Sequence, residues 1–246
     1  SVVGSDRSDL QFDLEKIFKT DSESEADEMD RKITRSIDRQ GDKLVIEVEY
    51  KQHASFWKNL FADGKGVNFD ADLALPAHIE AVVHTNGGNV EINGLTNGLD
   101  AHTNGGNVTV ARCSKKIDIH TNGGNIRVDE LRGEADLHTN GGNIEVAASS
   151  ASVDAQTNGG NIRADFREAM TGRSKLHTNG GSIYVGLPAT HGFQLDAEAH
   201  GGSVRFKHDG ALKGEIKNNK IDATINGGGP VLTLDTRGGS IEVRNI

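Results

Sequence analysis

His102-Thr103-Asn104-Gly105-Gly106-Asn107-Val108 is one copy of a seven-residue motif that recurs along most of the chain. The copies occupy residues 84–90, 102–108, 120–126, 138–144, 156–162 and 177–183, and shortened copies lie near 200–204, 226–228 and 236–241. The first five follow one another at an even period of about 18 residues, and such self-similarity at a short fixed period is the signature of a repeat architecture. The later steps are irregular, with a long step from Gly201 to Gly227 and a short one from Gly227 to Gly238.

Each repeat alternates apolar and polar residues with the period of a β-strand. In the copy near residue 138, Leu137 and Thr139 fall on one face and Asp136 and His138 on the other, and Ile144 points inward after the glycines. A second turn is predicted at residues 129–133. Two short strands and two turns fit one such period. The sequence therefore predicts an all-β fold, a β-solenoid with coils of about 18 residues over residues 79–246.

Equivalent positions of the copies support this prediction. The residue before the histidine position is always apolar: Val83, Ala101, Ile119, Leu137, Ala155, Leu176, Ala197, Ala223 and Leu234. The first residue after the turn is also apolar: Val90, Val108, Ile126, Ile144, Ile162, Ile183 and Val204. An antiparallel meander is the alternative, because Asn-Gly is a strong hairpin signal. Stacked coils are favoured because outward charges alternate between neighbouring copies, as in Arg127, Glu145 and Arg163.

Residues 1–78 are predicted to form strands, a β-hairpin and a short helix that cap the solenoid. The hairpin is predicted over residues 33–50, and a half-buried strand is expected to end at Pro76. Residues 54–62 place Phe56 and Trp57 on one helical face and are predicted to cover the N-terminal end. The acidic stretch 21–31 fits either a short helix or a solvated loop.

The Asn-Gly-Gly turns are interpreted as structural. A sharp reversal is expected to need positive φ, which glycine supplies at no steric cost, and stacked asparagines can form amide ladders. A phosphate-binding loop would need a following helix N-terminus or a Lys-Ser/Thr pair, and neither follows. No cofactor is therefore expected.

Composition excludes several classes of partner. The net charge is −9, and residues 1–30 alone carry ten acids against three bases, so a nucleic-acid partner is not expected. The sequence lacks the long apolar run that a transmembrane helix needs, so no transmembrane segment is expected. Cys113 is the single cysteine, which leaves no internal disulfide.

The chain resembles the bacterial putative-adhesin domain, domain-of-unknown-function family 4097. The resemblance rests on Leu73-Ala74-Leu75-Pro76, on the serial Thr-Asn-Gly-Gly-Asn-Ile/Val turns, and on Tyr184-Val185-Gly186-Leu187-Pro188 followed by Phe193-Gln194-Leu195-Asp196-Ala197. It extends roughly from Leu44 to the end of the chain. It implies a β-solenoid exported to or beyond the cell envelope, hence an extracytoplasmic location, and it brings no catalytic residues.

Two outward columns could carry chemistry. The histidine column comprises His84, His102, His120, His138 and His177, with Gln156 between the last two, and the neighbouring carboxylates are Asp100, Asp118 and Asp136. Imidazole and carboxylate are ligands of transition metals. The alternative is a solvated face on which aspartate offsets partly protonated histidine.

The function predicted first is a non-enzymatic cell-envelope or secreted β-solenoid, an adhesin or scaffold whose partner is a cell-surface glycan or protein. A metal-binding surface protein that uses the His/Asp columns is the second hypothesis. A carbohydrate-active β-helix enzyme is the third, since the outward aspartates could imitate catalytic acids. One tryptophan and two tyrosines leave little for a sugar-binding platform.

Overall fold

The computed structural model describes residues 2–5, 11–19, 22–31, 33–41, 43–50, 66–85 and 87–246. These residues form one helix and 21 strands, all joined in one sheet system. The N-terminal elements are β1 (Val2–Ser5), β2 (Gln11–Lys19), α1 (Glu23–Arg31), β3 (Ile33–Gln40), β4 (Lys43–Tyr50) and β5 (Gly66–Pro76). The next are β6 (Glu80–Thr85), β7 (Val90–Asn93), β8 (Leu99–Thr103), β9 (Val108–Ala111), β10 (Ser114–Thr121), β11 (Ile126–Thr139), β12 (Ile144–Thr157) and β13 (Ile162–Phe166). The last are β14 (Ser174–Thr178), β15 (Ile183–Leu187), β16 (Phe193–Ala199), β17 (Val204–Lys207), β18 (Leu212–Ile216), β19 (Lys220–Ile225), β20 (Val231–Thr236) and β21 (Ile241–Asn245).

The repeats form a β-solenoid, as predicted. Equivalent residues of consecutive copies pair in parallel and in register, so that His102 lies beside His120 and Val108 beside Ile126. This pairing rules out the antiparallel meander. Each coil contributes one strand to each of two ladders. The histidine ladder contains β6, β8, β10, the second halves of β11 and β12, and β14. The arginine ladder, named after Arg127 and Arg163, contains β7, β9, the first halves of β11 and β12, β13 and β15.

Inward side chains of the two ladders meet in one continuous core. The residues before the histidine position are buried from Ala101 through Leu176, and all seven predicted post-turn residues are buried. Val83 is only half-buried. The predicted core columns are otherwise confirmed for the regular repeats.

Threonine and asparagine tie consecutive turns together. Thr121, which is fully buried, donates through Oγ1 to the carbonyl of Gly106 at 3.0 Å and accepts from the amide of Gly124 at 3.2 Å. The same pair of bonds recurs at Thr103, Thr139, Thr157, Thr178 and Thr236. The buried threonine thus satisfies polar backbone groups of two coils.

Two asparagine ladders run along the outside of the turns. Asn122 Nδ2 donates to Asn104 Oδ1 at 2.8 Å, and the same amide-to-amide bond continues at Asn140, Asn158 and Asn179. In the second ladder Asn107 Oδ1 accepts from the backbone amide of Asn125 at 2.8 Å. The predicted amide ladders are confirmed, and they explain the asparagines at both positions of the regular copies.

The role expected for the repeated glycines was wrong. Their φ angles lie outside the left-handed region, so the turns do not require positive φ. The second glycine of each pair is instead needed for close approach. A Cβ built on Gly124 would lie far inside 3.0 Å of the carbonyl of Gly106, whereas a Cβ on Gly123 would have its nearest neighbour at 3.9 Å. Coils stacked at strand spacing leave no room for a side chain there.

Thr139→Val is expected to lower the free energy of unfolding by about 2 kcal/mol, because valine keeps the shape but leaves the buried groups of Gly124 and Gly142 without the hydroxyl. Thr109→Val is the matched control, since Thr109 is half-buried on the outer face of β9. Urea denaturation of the two variants measures the difference. Equal losses would contradict a specific role for the buried hydroxyl.

The C-terminal coils do not stack in chain order. Strand β14 pairs with β20, and β20 pairs on its other edge with β16, so the last coil in sequence lies between its two predecessors. In the arginine ladder β21 likewise lies between β15 and β17. The hairpin β18–β19 then pairs antiparallel with β16. The prediction that the last segment pairs differently from the regular coils is confirmed.

Two sequence assignments in this region were wrong. Ala223 was placed in the column before the histidine position, but it lies on the antiparallel β19 opposite Leu195. Asn226-Gly227-Gly228 was taken as a shortened motif copy. It is instead a turn with φ of 47°, 82° and 91°, where positive φ does favour glycine and asparagine.

The N-terminal strands continue both ladders. Strand β4 pairs in parallel with β6, and β1 pairs in parallel with β7. The predicted hairpin is β3–β4, and β5 ends at Pro76 as expected. Residues 21–31 contain the helix α1, so the helical alternative holds there. The helix predicted at residues 54–62 and its capping role lie outside the described residues. The division at residue 78 remains a prediction.

Candidate functional site

The histidine face is the outer surface of the histidine ladder, and the strand alternation creates it. Because inward and outward residues alternate, three consecutive coils each present an aspartate and a histidine two residues apart. The in-register pairing then aligns Asp100, Asp118 and Asp136 in one column, and His84, His102, His120 and His138 in the next. His84 is exposed and the other three histidines are half-exposed. The predicted outward register is confirmed.

The histidine rings change their arrangement along the column. His102 and His120 are stacked with an interplanar angle of 16° and centroids 5.6 Å apart, and His120 and His138 are stacked at 17° and 4.7 Å. His84 and His102 instead meet edge to face at 86° with centroids 5.2 Å apart. The regular stack therefore ends at His102.

Three of the predicted metal ligands come together where the stack breaks. One ligand atom each from His84, Asp100 and His102 lies within 4.8 Å of the other two. His102 Nδ1 is 2.7 Å from Asp100 Oδ1, but neither atom has a hydrogen-bond partner although both are shielded from solvent. The two atoms are therefore in close contact without hydrogen-bond geometry.

In the middle of the histidine face, the pKa values of Asp118 and His120 are shifted from their ordinary values. Burial raises the pKa of Asp118, and the Asp136 and Asp100 carboxylates raise it further. Burial lowers the pKa of His120, with smaller contributions from His138 and His102. Both shifts have the sign expected when like groups align at strand spacing on a partly desolvated surface. Neutral imidazole is thus favoured at the centre of the column.

His177 belongs to a different group from the other predicted ligands. Strand β20 inserts beside it, and His177 Nδ1 lies 2.7 Å from Asp235 Oδ1. Asp235 Oδ2 is in turn 3.2 Å from His200 Nε2, so one carboxylate links two histidines. Glu198 continues the chain of contacts, with its carboxylate 3.0 Å from Lys220 Nζ. The sequence could not reveal this group, because it depends on the out-of-order coil.

The arginine face, the outer surface of the arginine ladder, carries paired charges. Arg127 Nη1 lies 2.9 Å from Glu145, and Arg127 also contacts Asp129 at 2.8 Å. Tyr184 is 42% exposed and lies in register between Arg163 and Glu242. The charge alternation predicted for residues 127–163 is therefore realised as an ion pair at Arg127, whereas Arg163 pairs with Asp165 of its own strand at 2.9 Å.

Comparison with known proteins gives the family. The family model described as Toastrack DUF4097 matches residues 16–244, which is nearly the whole chain. The chain belongs to the Toastrack DUF4097 family. The resemblance inferred from the sequence motifs is thus confirmed for this Toastrack chain.

Other comparisons add little to the Toastrack assignment. A crystal structure of a putative cell adhesion protein from Clostridium sporogenes is similar to this Toastrack chain at 12% sequence identity and a TM-score of 0.30. The match covers 100% of this chain and 86% of that one. No curated protein sequence matches significantly. Within its described residues the Toastrack chain has no helix long and apolar enough to cross a membrane.

The stability of this Toastrack domain is expected to fall modestly between pH 7.5 and pH 5.5. In the unfolded chain the His120 pKa returns to about 6.5, so the unfolded state takes up more protons than the folded state as the pH falls through that value. Since His120 is half-exposed, we expect a loss in melting temperature of about 1–3 °C and an intact fold. Below about pH 5, protonation of Asp118, whose folded pKa is raised, should favour the folded state.

His120→Gln should reduce this loss of melting temperature between pH 7.5 and pH 5.5. Glutamine is already present in the same column at Gln156. His78→Gln is the control, since His78 is exposed in a turn outside the column. Melting curves by circular dichroism at both pH values, recorded with a chelator present, provide the measurement. An unchanged pH dependence in His120→Gln would argue against the ladder as its source.

Proposed function

We propose that this chain is a non-enzymatic β-solenoid that acts outside the cytoplasm as an adhesin or scaffold. Its broad strand faces would serve as the binding surface for a cell-surface glycan or protein. Family membership supports the scaffold role at a coarse level, and the resemblance to adhesin-like domains supports the location.

One observation carries this proposal. The most regularly repeated residues, threonine, asparagine and the second glycine of each turn, are engaged in coil-to-coil bonds and close packing. These contacts stabilise the stack. The outward positions of the arginine ladder vary instead: Glu91, Thr109, Arg127, Glu145, Arg163, Tyr184, Glu242 and Arg205. A rigid scaffold with variable outer positions is typical of a binding protein.

The arginine face is the better candidate for partner contact. Tyr184 offers a large exposed ring, and tyrosine and arginine are enriched where proteins bind their partners. The neighbouring Arg163 offers hydrogen-bond donors and Glu242 offers acceptors, either to sugar hydroxyls or to a protein surface. This combination suits a polar, wet interface better than a deep apolar pocket.

A glycan array followed by calorimetry tests the proposal. We expect a glycan or surface-protein ligand whose affinity falls at least about tenfold in Tyr184→Ser/Arg163→Ser. The matched control is Gln156→Ser/Asp154→Ser on the histidine face, which should bind like the wild type. Shortening or eliminative cleavage of the bound glycan would overturn the non-enzymatic part. Recovery of the native protein only from the cytoplasmic fraction would overturn the location.

A further inference from the structure

We propose that His84, Asp100 and His102 form a binding site for one divalent transition-metal ion of the zinc type. The site lies where β6 and β8 pair, at the N-terminal end of the histidine column. The sequence named eight candidate metal ligands, and the structure brings three of them together. This proposal does not depend on the proposed adhesin or scaffold role.

Ring orientation distinguishes this position from the rest of the column. His102, His120 and His138 form a nearly parallel stack. Within the described residues, neither His120 nor His138 belongs to a group of three converging ligand atoms. The His84 ring is turned by 86° relative to His102, and one ligand atom of His84 lies within 4.8 Å of ligand atoms of both Asp100 and His102. Tetrahedral ligand atoms at zinc distances are about 3.3 Å apart, so small side-chain rotations would complete the convergence.

Two polar atoms at this position lack hydrogen-bond partners. Asp100 Oδ1 and His102 Nδ1 are shielded from solvent and 2.7 Å apart, yet the geometry is not that of a hydrogen bond. A buried polar atom without a partner costs free energy. A cation between the two atoms would satisfy both, since carboxylate oxygen and neutral imidazole nitrogen are both metal ligands.

The donor set indicates the class of metal. Two imidazoles and one carboxylate suit zinc, nickel or copper, whereas calcium and magnesium prefer sites made only of oxygen. Three protein ligands leave a coordination position for water or for a group of a partner. Because His84 is exposed, that open position faces solvent.

The remaining histidines of the face do not form a comparable group. His177 and His200 flank Asp235 at 2.7 Å and 3.2 Å, so that carboxylate is already engaged with both rings. His138 has a stacked ring on one side and Gln156 in register on the other. Within the described residues, His84, Asp100 and His102 are the set whose ligand atoms converge.

Isothermal titration calorimetry with zinc sulfate at pH 7.5, on chelator-stripped protein, tests the site. We expect one equivalent to bind with a dissociation constant on the order of micromolar, because the ligands sit on an open strand face. His84→Ala and Asp100→Asn should each weaken binding at least about tenfold. His138→Ala, which removes a histidine of the same column away from the site, should change affinity less than about twofold.

Cobalt substitution gives a second readout that does not depend on heat. Bound cobalt should show the visible absorption of a low-coordinate site with nitrogen and oxygen ligands, and His102→Ala should abolish it. Circular dichroism establishes that each variant is folded. No saturable binding at one equivalent would overturn the proposal. So would equal weakening by His138→Ala and His84→Ala, which would indicate diffuse binding along the column.

Discussion

Gly124→Ala is expected to destabilise the protein by about 3 kcal/mol or more, whereas Gly123→Ala should change its stability by less than about 0.5 kcal/mol. The two residues are adjacent in the same turn and share the same chemistry. They differ in what a methyl group would meet. At Gly124 it would collide with the carbonyl of Gly106 on the preceding coil, and at Gly123 the nearest atom is 3.9 Å away.

The backbone at Gly124 has little freedom to relax. Its amide donates to Thr121 Oγ1 of the same turn at 3.2 Å, and its carbonyl accepts from Thr139 Oγ1 of the following coil at 2.8 Å. Moving the turn would therefore break one bond within the coil and one bond between coils. For a chain of this length the loss corresponds to a fall in melting temperature of about 6–12 °C. Thermal and urea denaturation of both variants measure it. If Gly123→Ala lost as much stability as Gly124→Ala, backbone conformation rather than close approach would explain the motif.

Removal of residues 231–246 is expected to abolish the cooperative folding of the C-terminal coils. In a solenoid stacked in chain order, deleting the last coil would expose one new surface and remove one interface. Here the last coil lies between two others, with Leu234 in register with both Leu176 and Ala197. Its deletion would remove two interfaces and expose two core cross-sections. Size-exclusion chromatography and circular dichroism should reveal aggregation and loss of the single melting transition.

Two point substitutions in the full-length chain test whether the loss of stability comes from the position of this coil between two others or only from the shorter chain. Leu234→Asp places a charge in the core between two coils and should cost more than about 4 kcal/mol. Thr233→Asp changes the adjacent outward residue and should cost less than about 1 kcal/mol. For the truncation, the contradicting result is different. If the chain without residues 231–246 remained monomeric with an unchanged melting temperature, the stacking order β14–β20–β16 would be wrong.

Because the last coil is inserted between two earlier ones, the sequence could not predict which outward residues are neighbours on the C-terminal coils. Columns read in chain order place Arg205 directly after Tyr184, but Glu242 lies between them in the sheet. In the same way Asp235 enters the histidine face beside His177. The irregular motif spacing on either side of Gly227 was the signal of a changed path, yet it does not specify which coil a strand joins.

The even period of the motif, the alternation of apolar and polar residues and the Asn-Gly-Gly turns determined the fold by themselves. They determined the parallel in-register ladders, the buried columns that contain Ala101 and Val108, and the outward direction of His102. These features are local and repeat identically, so strand alternation alone decides which residues point inward. The tertiary structure decided three further points, because each depends on atoms distant in sequence or on side-chain rotation. They are the close approach that explains Gly124, the order of the last coils, and the convergence of ligand atoms from His84, Asp100 and His102.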